Sequence, residues 1–361
     1  MIAGRDEHRD RASQSPRSPQ WFGFCPRPLP GESLLSWIDQ VSATFGFTRD
    51  DAAELVGISR RWGDRLSRDL YMLSRDDLPH LMFRTGLGEL DLRMMTAEWL
   101  VMGPWAGCLR GRYYGIQGFD MMSSAACPDC VAESDGRWQL LWKSGFNVLC
   151  AKHRCYLASV CVCGRRLHRV DRGEISRFRC VGITAGQSRG FGPCDQKVAD
   201  LPVARVEDPR VVQAHAQVFG LITSRKQRTD QQNERVWSDL AWAIHLTAEL
   251  GTAELVEGTD PCVAEAFDRF CHRRESTRTR HGDVNARLKA DEQDERLVMA
   301  AFLRVATALA LSDDQGAQAM WFCDTVSPQW KSAPQVFIHL DPKGGLPQVF
   351  RALGMPNRPW R

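Results

Sequence analysis

The chain has 361 residues, 43% of them hydrophobic and 25% charged, and a formal net charge of +3. These proportions exclude a disordered polyelectrolyte and supply enough apolar material for two or three domains. The longest apolar run, Leu297 to Leu311, is too short for a membrane span and is broken by Arg304.

The opening MIAGRDEHRDRASQSPRSPQ is polar and lacks the apolar core of a secretory signal, so residues 1–20 read as a flexible tail on a cytoplasmic protein. In RPLPGESLLSWIDQVSATFGF, Leu34, Ile38, Val41 and Phe45 recur on one helical face, with Pro30 and Gly31 before it and Gly46 after it. Thr48 with Asp51 starts a second helix, whose face is Ala52, Leu55 and Val56 and which Gly57 ends. Ser59 can cap a third, in which Trp62, Leu66 and Leu70 form an apolar stripe. Beside that stripe lie Arg60, Arg61, Arg65 and Arg68. Short helix, glycine turn and basic helix make the pattern of a helix-turn-helix, and the small Ala53 permits its close packing. The arginines read either as a nucleic-acid or partner surface or as a solvated face.

A further helix is expected over 75–85, with Ser74 and Asp77 at its start and Gly86 and Gly88 closing it. Residues 103–118, rich in glycine and aromatics, read as a connector. Beyond residue 200 the chain is helical again: Trp237, Leu240, Ala241, Ile244 and Leu250 share one segment, and Val298 to Leu311 is apolar on most of its surface and reads as core. The closing GGLPQVFRALGMPNRPWR suggests one more short helix. The basic stretch CHRRESTRTRHGDVNARLK reads as a solvated loop or helix face.

Eight of the thirteen cysteines fall between Cys127 and Cys194, a clustering that favours metal over disulfides in a reducing compartment. Cys127 and Cys130 form one knuckle and Cys150 and His153 a second, the four-donor set of a structural zinc. Between them, Trp138, Leu140, Leu141, Trp142 and Phe146 suffice for a small core. A thioredoxin-like redox pair would need the Cys-x-x-Cys to open a helix in a βαβ setting, which the pattern does not suggest. A looser second set is Cys161, Cys163, Cys180 and Cys194, with Gly164 and Gly192-Pro193 placed to turn the chain; Cys155 is a spare thiol and His168 an alternative ligand. Four Cys/His ligands leave no open position for a catalytic water. The knuckle reads Ala-Cys-Pro-Asp-Cys where a deaminase has Pro-Cys-x-x-Cys, no His-x-Glu precedes it, and no His-Glu-x-x-His, phosphate loop or nucleophile elbow is present, which points away from an enzyme. Residues 164–179, GRRLHRVDRGEISRFR, carry six arginines against two acids, so Arg165, Arg166 and Arg169 are candidates for phosphate or partner contacts, with solvation as the alternative.

Three stretches together resemble the TniQ family, the target-selection proteins of Tn7-like and related transposons. The first is RPLPGESLLSWIDQVSATFG, with Pro28, Pro30, Glu32, Ser33, Ser36 and Trp37 in the family's opening pattern. The second is FRTGLGELDLRMMT. The third is CPDC, then WQLLW, then CAKHRCYLASVCVCGRRL, similar to the family's Cys-Pro-x-Cys, aromatic helix, Cys-x-x-His and Cys-x-Cys-Gly. They span about residues 21–170. The resemblance implies a non-catalytic adaptor that passes a target, read on DNA or through a CRISPR guide-RNA effector complex, to an AAA+ transposition ATPase. It also makes both zinc sites structural and leaves monomer and homodimer open. The competing readings are a stand-alone zinc-containing helix-turn-helix transcription regulator and a Mg²⁺-dependent nucleic-acid enzyme, for which no acidic cluster stands out.

The expected architecture is mainly α. Residues 21–102 form a helix-turn-helix-like helical domain. Residues 103–200 form a zinc-binding module with two sites, and residues 201–361 a C-terminal helical domain.

Overall fold

Ser33 begins the first helix, its hydroxyl accepting the backbone N–H of Ser36, and Gly46 ends it in the left-handed conformation at φ 71°. Between them runs α1 (Leu34–Phe45), with Leu34, Ile38 and Val41 fully buried as the periodicity predicts. The computed structural model describes residues 25–58, 72–98, 112–113, 116–117, 124–168, 178–180, 183–184, 192–223, 230–277 and 294–332, and positions 346, 348 and 350. Helix α2 (Arg49–Val56) follows, capped by Thr48 and stopped at Gly57. The expected recognition helix, with Trp62 and the arginine stripe Arg60, Arg61, Arg65 and Arg68, lies outside the described residues, as does Arg169. Helix α3 (Asp77–Thr85) packs on α2, with the Arg84 guanidinium donating to the carbonyls of Glu54 and Leu55. Gly86 ends α3, and Gly88 begins the short α4 (Glu89–Met94), a helix the periodicity did not predict.

Among the described residues the middle of the chain has little regular structure. Three two-residue hairpins recur: β1 (Arg112–Tyr113) with β2 (Ile116–Gln117), β3 (Leu149–Cys150) with β4 (Cys155–Tyr156), and β5 (Ile183–Thr184) with β6 (Gly192–Pro193). The six-residue helix α5 (Pro128–Glu133) and a 3₁₀ turn at Leu140–Lys143 complete it. The aromatic helix implied for WQLLW is thus only this turn, and Gly192-Pro193 forms a strand where a turn was expected.

The C-terminal part is a helical bundle: α6 (Pro209–Thr223), α7 (Asp230–Leu250), α8 (Pro261–Thr277), α9 (Glu295–Leu311) and α10 (Gln315–Ser332). Helix α9 is its axis. It packs on α6, α7, α8 and α10 and is buried on nearly every side, which is why its sequence is apolar all round. Phe302 of α9 meets Phe267 and Phe270 of α8 edge-on, with ring centroids 6.0 and 5.3 Å apart. The described positions of the expected final helix, Leu346, Gln348 and Phe350, are helical, and Leu346 and Phe350 are buried.

Two joints tie the helical N-terminus to the middle of the chain. In the first, the main chain at 31–33 pairs with 138–140: Ser33 N–H donates to the Trp138 carbonyl at 2.9 Å and Leu140 N–H to the Gly31 carbonyl at 2.8 Å. Gly31 is at φ 76°, and a Cβ there would meet Gln139 Oε1 at 2.5 Å, so no other residue fits without displacement. The fully buried Glu32 carboxylate accepts from Arg137 at 2.6 Å, Ser36 Oγ at 2.8 Å and Leu29 N–H at 2.9 Å. In the second joint, Asp39 of α1 takes a bidentate pair from Arg49 at 2.6 and 2.8 Å and the His168 Nε2–H at 3.0 Å. The His168 ring stacks on Trp138, with centroids 4.4 Å apart and planes 8° from parallel.

Burial alone would raise the Asp39 carboxyl, but the Arg49 charge and the His168 hydrogen bond outweigh it and hold it below the usual carboxylate range. Burial pushes His168 down to about 4, with Asp39 opposing only in part. Both groups act in the same direction. Neutral His168 and ionised Asp39 support the fold at pH 7, and that support is lost on acidification, for His168 as pH falls from its unfolded value through about 4.

Glu32→Ala leaves the Arg137 charge buried without its partner and is expected to cost about 3–5 kcal/mol in urea denaturation; a loss below about 1 kcal/mol would show the joint to be incidental. From pH 8 to pH 5 the wild-type chain should lose about 2 kcal/mol of stability through His168, a loss absent in His168→Gln. Equal slopes in the two proteins would remove His168 as the cause.

Candidate metal centres

Cys127 sits at the N-cap of α5 and Cys130 in its first turn, so one short helix presents both thiols. Cys150 ends β3, His153 lies in the tight turn to β4, and Arg154 at φ 48° lets that turn close. The four donor atoms lie within 4.8 Å of one another. His153 Nδ1 is 3.3 Å from Cys127 Sγ, 3.2 Å from Cys130 Sγ and 3.6 Å from Cys150 Sγ, and the Cys130 and Cys150 sulfurs are 3.6 Å apart. A disulfide would bring sulfurs to about 2.05 Å. Tetrahedral zinc with Zn–S of about 2.3 Å separates them by nearly 4 Å. The donor set and its spacing therefore fit zinc and not a disulfide.

The thiols share their protons unevenly. Hydrogen bonds from Cys130, Cys150 and Cys155 hold the Cys127 thiol far below its usual range, while Cys130 and Cys155, donating to Cys127, are held far above theirs. A metal lets several be thiolates at once.

The second set, Cys161, Cys163, Cys180 and Cys194, also gathers within 4.8 Å. Cys161 faces Cys194 and Cys163 faces Cys180, each pair 3.6 Å apart. Gly164 at φ 81° closes the first knuckle, its N–H donating to the Cys161 carbonyl. Residues 178–180 pair with 196–198 through Cys180 N–H to the Gln196 carbonyl and Val198 N–H to the Phe178 carbonyl, which brings Cys180 and Cys194 together.

The structure also sorts the remaining candidates. Cys155 lies 3.6 Å from Cys127 Sγ, and with Cys127 and Asp129 it forms a partial third group beside the first set. His168 is committed to Asp39 and Trp138, not to the second set. Arg165 is exposed, whereas Arg166 is held by Glu295 of α9 at 2.9 Å with its side chain only 15% exposed. The Cys-x-x-Cys does open a helix, contrary to the reading of the sequence, but no βαβ unit is present among the described residues.

One functional partner was missed. Glu133 Oε1 is 3.0 Å from His153 Nε2, with Lys152 on its other oxygen. A carboxylate on the far nitrogen fixes the ring with Nδ1 toward the sulfurs. Nothing in the spacing marks Glu133, because it faces His153 only through the fold.

Helical packing on a Cys/His-rich module defines the class of this protein: a mostly helical chain with two groups of four Cys/His donors that could each hold a metal ion. Residues 9–157 match the TniQ family model, which supports the resemblance to that family read from the sequence. The match includes the whole first ligand set and ends before the second. No curated protein matches the chain. No helix among the described residues is long and apolar enough to cross a membrane.

Cys127→Ser should abolish metal binding at the first set and unfold residues 124–168, read as loss of near-UV circular dichroism; retention of native signal and full metal content would exclude Cys127 as a ligand. Glu133→Gln should weaken metal affinity about 10-fold in a chelator competition without changing stoichiometry, and unchanged affinity would reduce the contact to a surface ion pair.

Proposed function

We propose that the chain is a non-catalytic adaptor in transposon target-site selection. It carries zinc at both four-donor sets as structural ions and links target nucleic acid, or a guide-RNA effector complex, to an AAA+ transposition ATPase. The TniQ match over residues 9–157 carries this reading. The joint at residues 31–33 supports it: Glu32, Ser33 and Ser36, which carry the family resemblance, are the residues that dock α1 on the 137–140 segment. Their role is to hold two parts of a scaffold in one orientation, as an adaptor requires. Four-ligand sites hold zinc closed to water, so the metal supplies rigidity and no chemistry.

Nucleic-acid contacts are assigned to Arg60, Arg61, Arg65 and Arg68 with Arg165 and Arg169. Arg166 is the weakest member of that group because Glu295 already holds it.

The test is co-sedimentation of the purified chain with the AAA+ ATPase encoded in the same mobile element, with and without duplex DNA. Retention of the chain on the ATPase–DNA assembly, reduced at least 5-fold in Arg61→Ala/Arg65→Ala, is the expected outcome. Failure to associate, combined with tight binding of the chain alone to a palindromic site, would replace the adaptor with a stand-alone regulator.

A further inference from the structure

A cavity of about 720 Å³ opens in the C-terminal bundle, between α6, the 3₁₀ turn Ala253–Val256, α9 and α10. It is within the size range of ligand sites and far from both metal sets in sequence. We infer that this cavity receives a basic peptide segment of a partner protein, with an arginine or lysine side chain seated between its acidic rim and Trp321. The inference rests on the cavity's chemistry and not on the transposition reading.

Two arginines line the cavity, which on a first look suggests an anion. Both are already engaged. Arg210 makes a two-pronged pair with Asp208 at 3.0 and 3.2 Å and also donates to the Gly258 carbonyl. Arg304, its side chain nine-tenths buried, donates to the carbonyls of Leu255 and Glu257, and its Nε stands 3.5 Å from Asp208 Oδ2. Asp208 therefore offsets one of the two guanidinium charges within the wall, and the carbonyls of Leu255, Glu257 and Gly258 occupy further donors. The rim outweighs the one guanidinium charge left over: Glu254, Glu257 and Asp313 are exposed, and Glu257 and Asp313 have no cationic partner among the described residues. An anion would meet that rim at a Coulombic disadvantage, and a cation would be drawn to it.

Trp321 adds the second element. Its side chain lines the cavity yet is 37% exposed, and its neighbour Met320 is 50% exposed. An indole face beside carboxylates binds a guanidinium or ammonium through the ring quadrupole and packs its aliphatic stem. Tryptophan is also a frequent anchor of protein interfaces.

The third element distinguishes a peptide from a small cation. Gln213 and Gln217, one turn apart on α6, and Gln318 on α10 line the walls, and their side-chain amides make no hydrogen bond among the described residues. The Arg304 Nε–H is a further buried donor in the wall without a hydrogen-bond acceptor. Amides that both donate and accept suit peptide N–H and C=O groups, which a polyamine lacks.

The experiment is fluorescence anisotropy of the full-length chain with a fluorescein-labelled Ala-Arg-Ala-Lys-Ala-Arg-Ala peptide. The same peptide with glutamate at each basic position, spermidine, and a labelled single-stranded oligonucleotide serve as comparisons. The account predicts saturable binding of the basic peptide that weakens at least 5-fold in Glu257→Gln/Asp313→Asn and in Trp321→Ala. Glu265→Gln, an exposed carboxylate change on α8, should leave it unaltered. The paired carboxylate changes lie on the exposed rim and leave the core intact, so they decide the matter if Trp321→Ala proves unstable. Absence of binding, equal binding by the acidic peptide or by the Glu257/Asp313 variant, full displacement by equimolar spermidine, or preferential binding of the oligonucleotide at this cavity would each overturn the inference.

Discussion

Two sets of four thiol and imidazole donors are the constraint on which the rest of this structure depends. The region that holds them has strands of two residues and a helix of six, far below what stands alone in water. Its own apolar cluster is small and is built largely around the ligands: Cys127, Cys150, Cys161 and Cys180 are themselves among its buried members. A metal at each set would supply the cross-links that secondary structure does not. Both joints to the N-terminal helices lie inside the loops these cross-links close. Arg137, Trp138 and Gln139 fall between Cys130 and Cys150, and His168 falls between Cys163 and Cys180. Metal binding at these sets would therefore couple to the seating of α1 through the geometry of two loops.

Three of the described arginines of this region act as internal fasteners. Arg137 holds Glu32, Arg166 holds Glu295, and Arg205 donates to the His153 carbonyl while pairing with Asp129. From the other side, Arg296 of α9 reaches into the module. It donates to the carbonyls of Trp142, Ser144 and Asn147, binding the C-terminal bundle to the 142–147 turn. Tyr156 repeats the theme, donating to Asp260 at 2.6 Å, which also accepts the backbone N–H groups of Glu207 and Asp208. The apolar core accordingly runs without a break from Leu34 through Phe146 and Tyr156 to Phe350.

Local signals were legible in the sequence and long-range ones were not. The caps Ser33 and Thr48, the glycine stops Gly46, Gly57 and Gly86, and the all-apolar α9 follow from periodicity and capping chemistry within a few residues. The two groupings of four Cys/His side chains were legible because cysteines at knuckle spacing have few other uses. Glu133 and the Asp39–His168 contact were not, since each joins residues that only the finished fold brings together, 20 and 129 positions apart. His168 was read as a spare ligand on proximity to the cysteines, but burial against Trp138 and a carboxylate partner claimed it first. Arg166 looked like a phosphate contact for the same reason: charge is visible in a sequence, and its partner is not.

The most direct measurement is the zinc content of the purified, folded full-length chain by elemental analysis, with protein never exposed to chelator. The account predicts two zinc ions per chain, one for each set of four donors. Fewer than two in protein with a native near-UV spectrum would contradict it, because at least one of the loops that seat α1 would then be closed by something other than a metal.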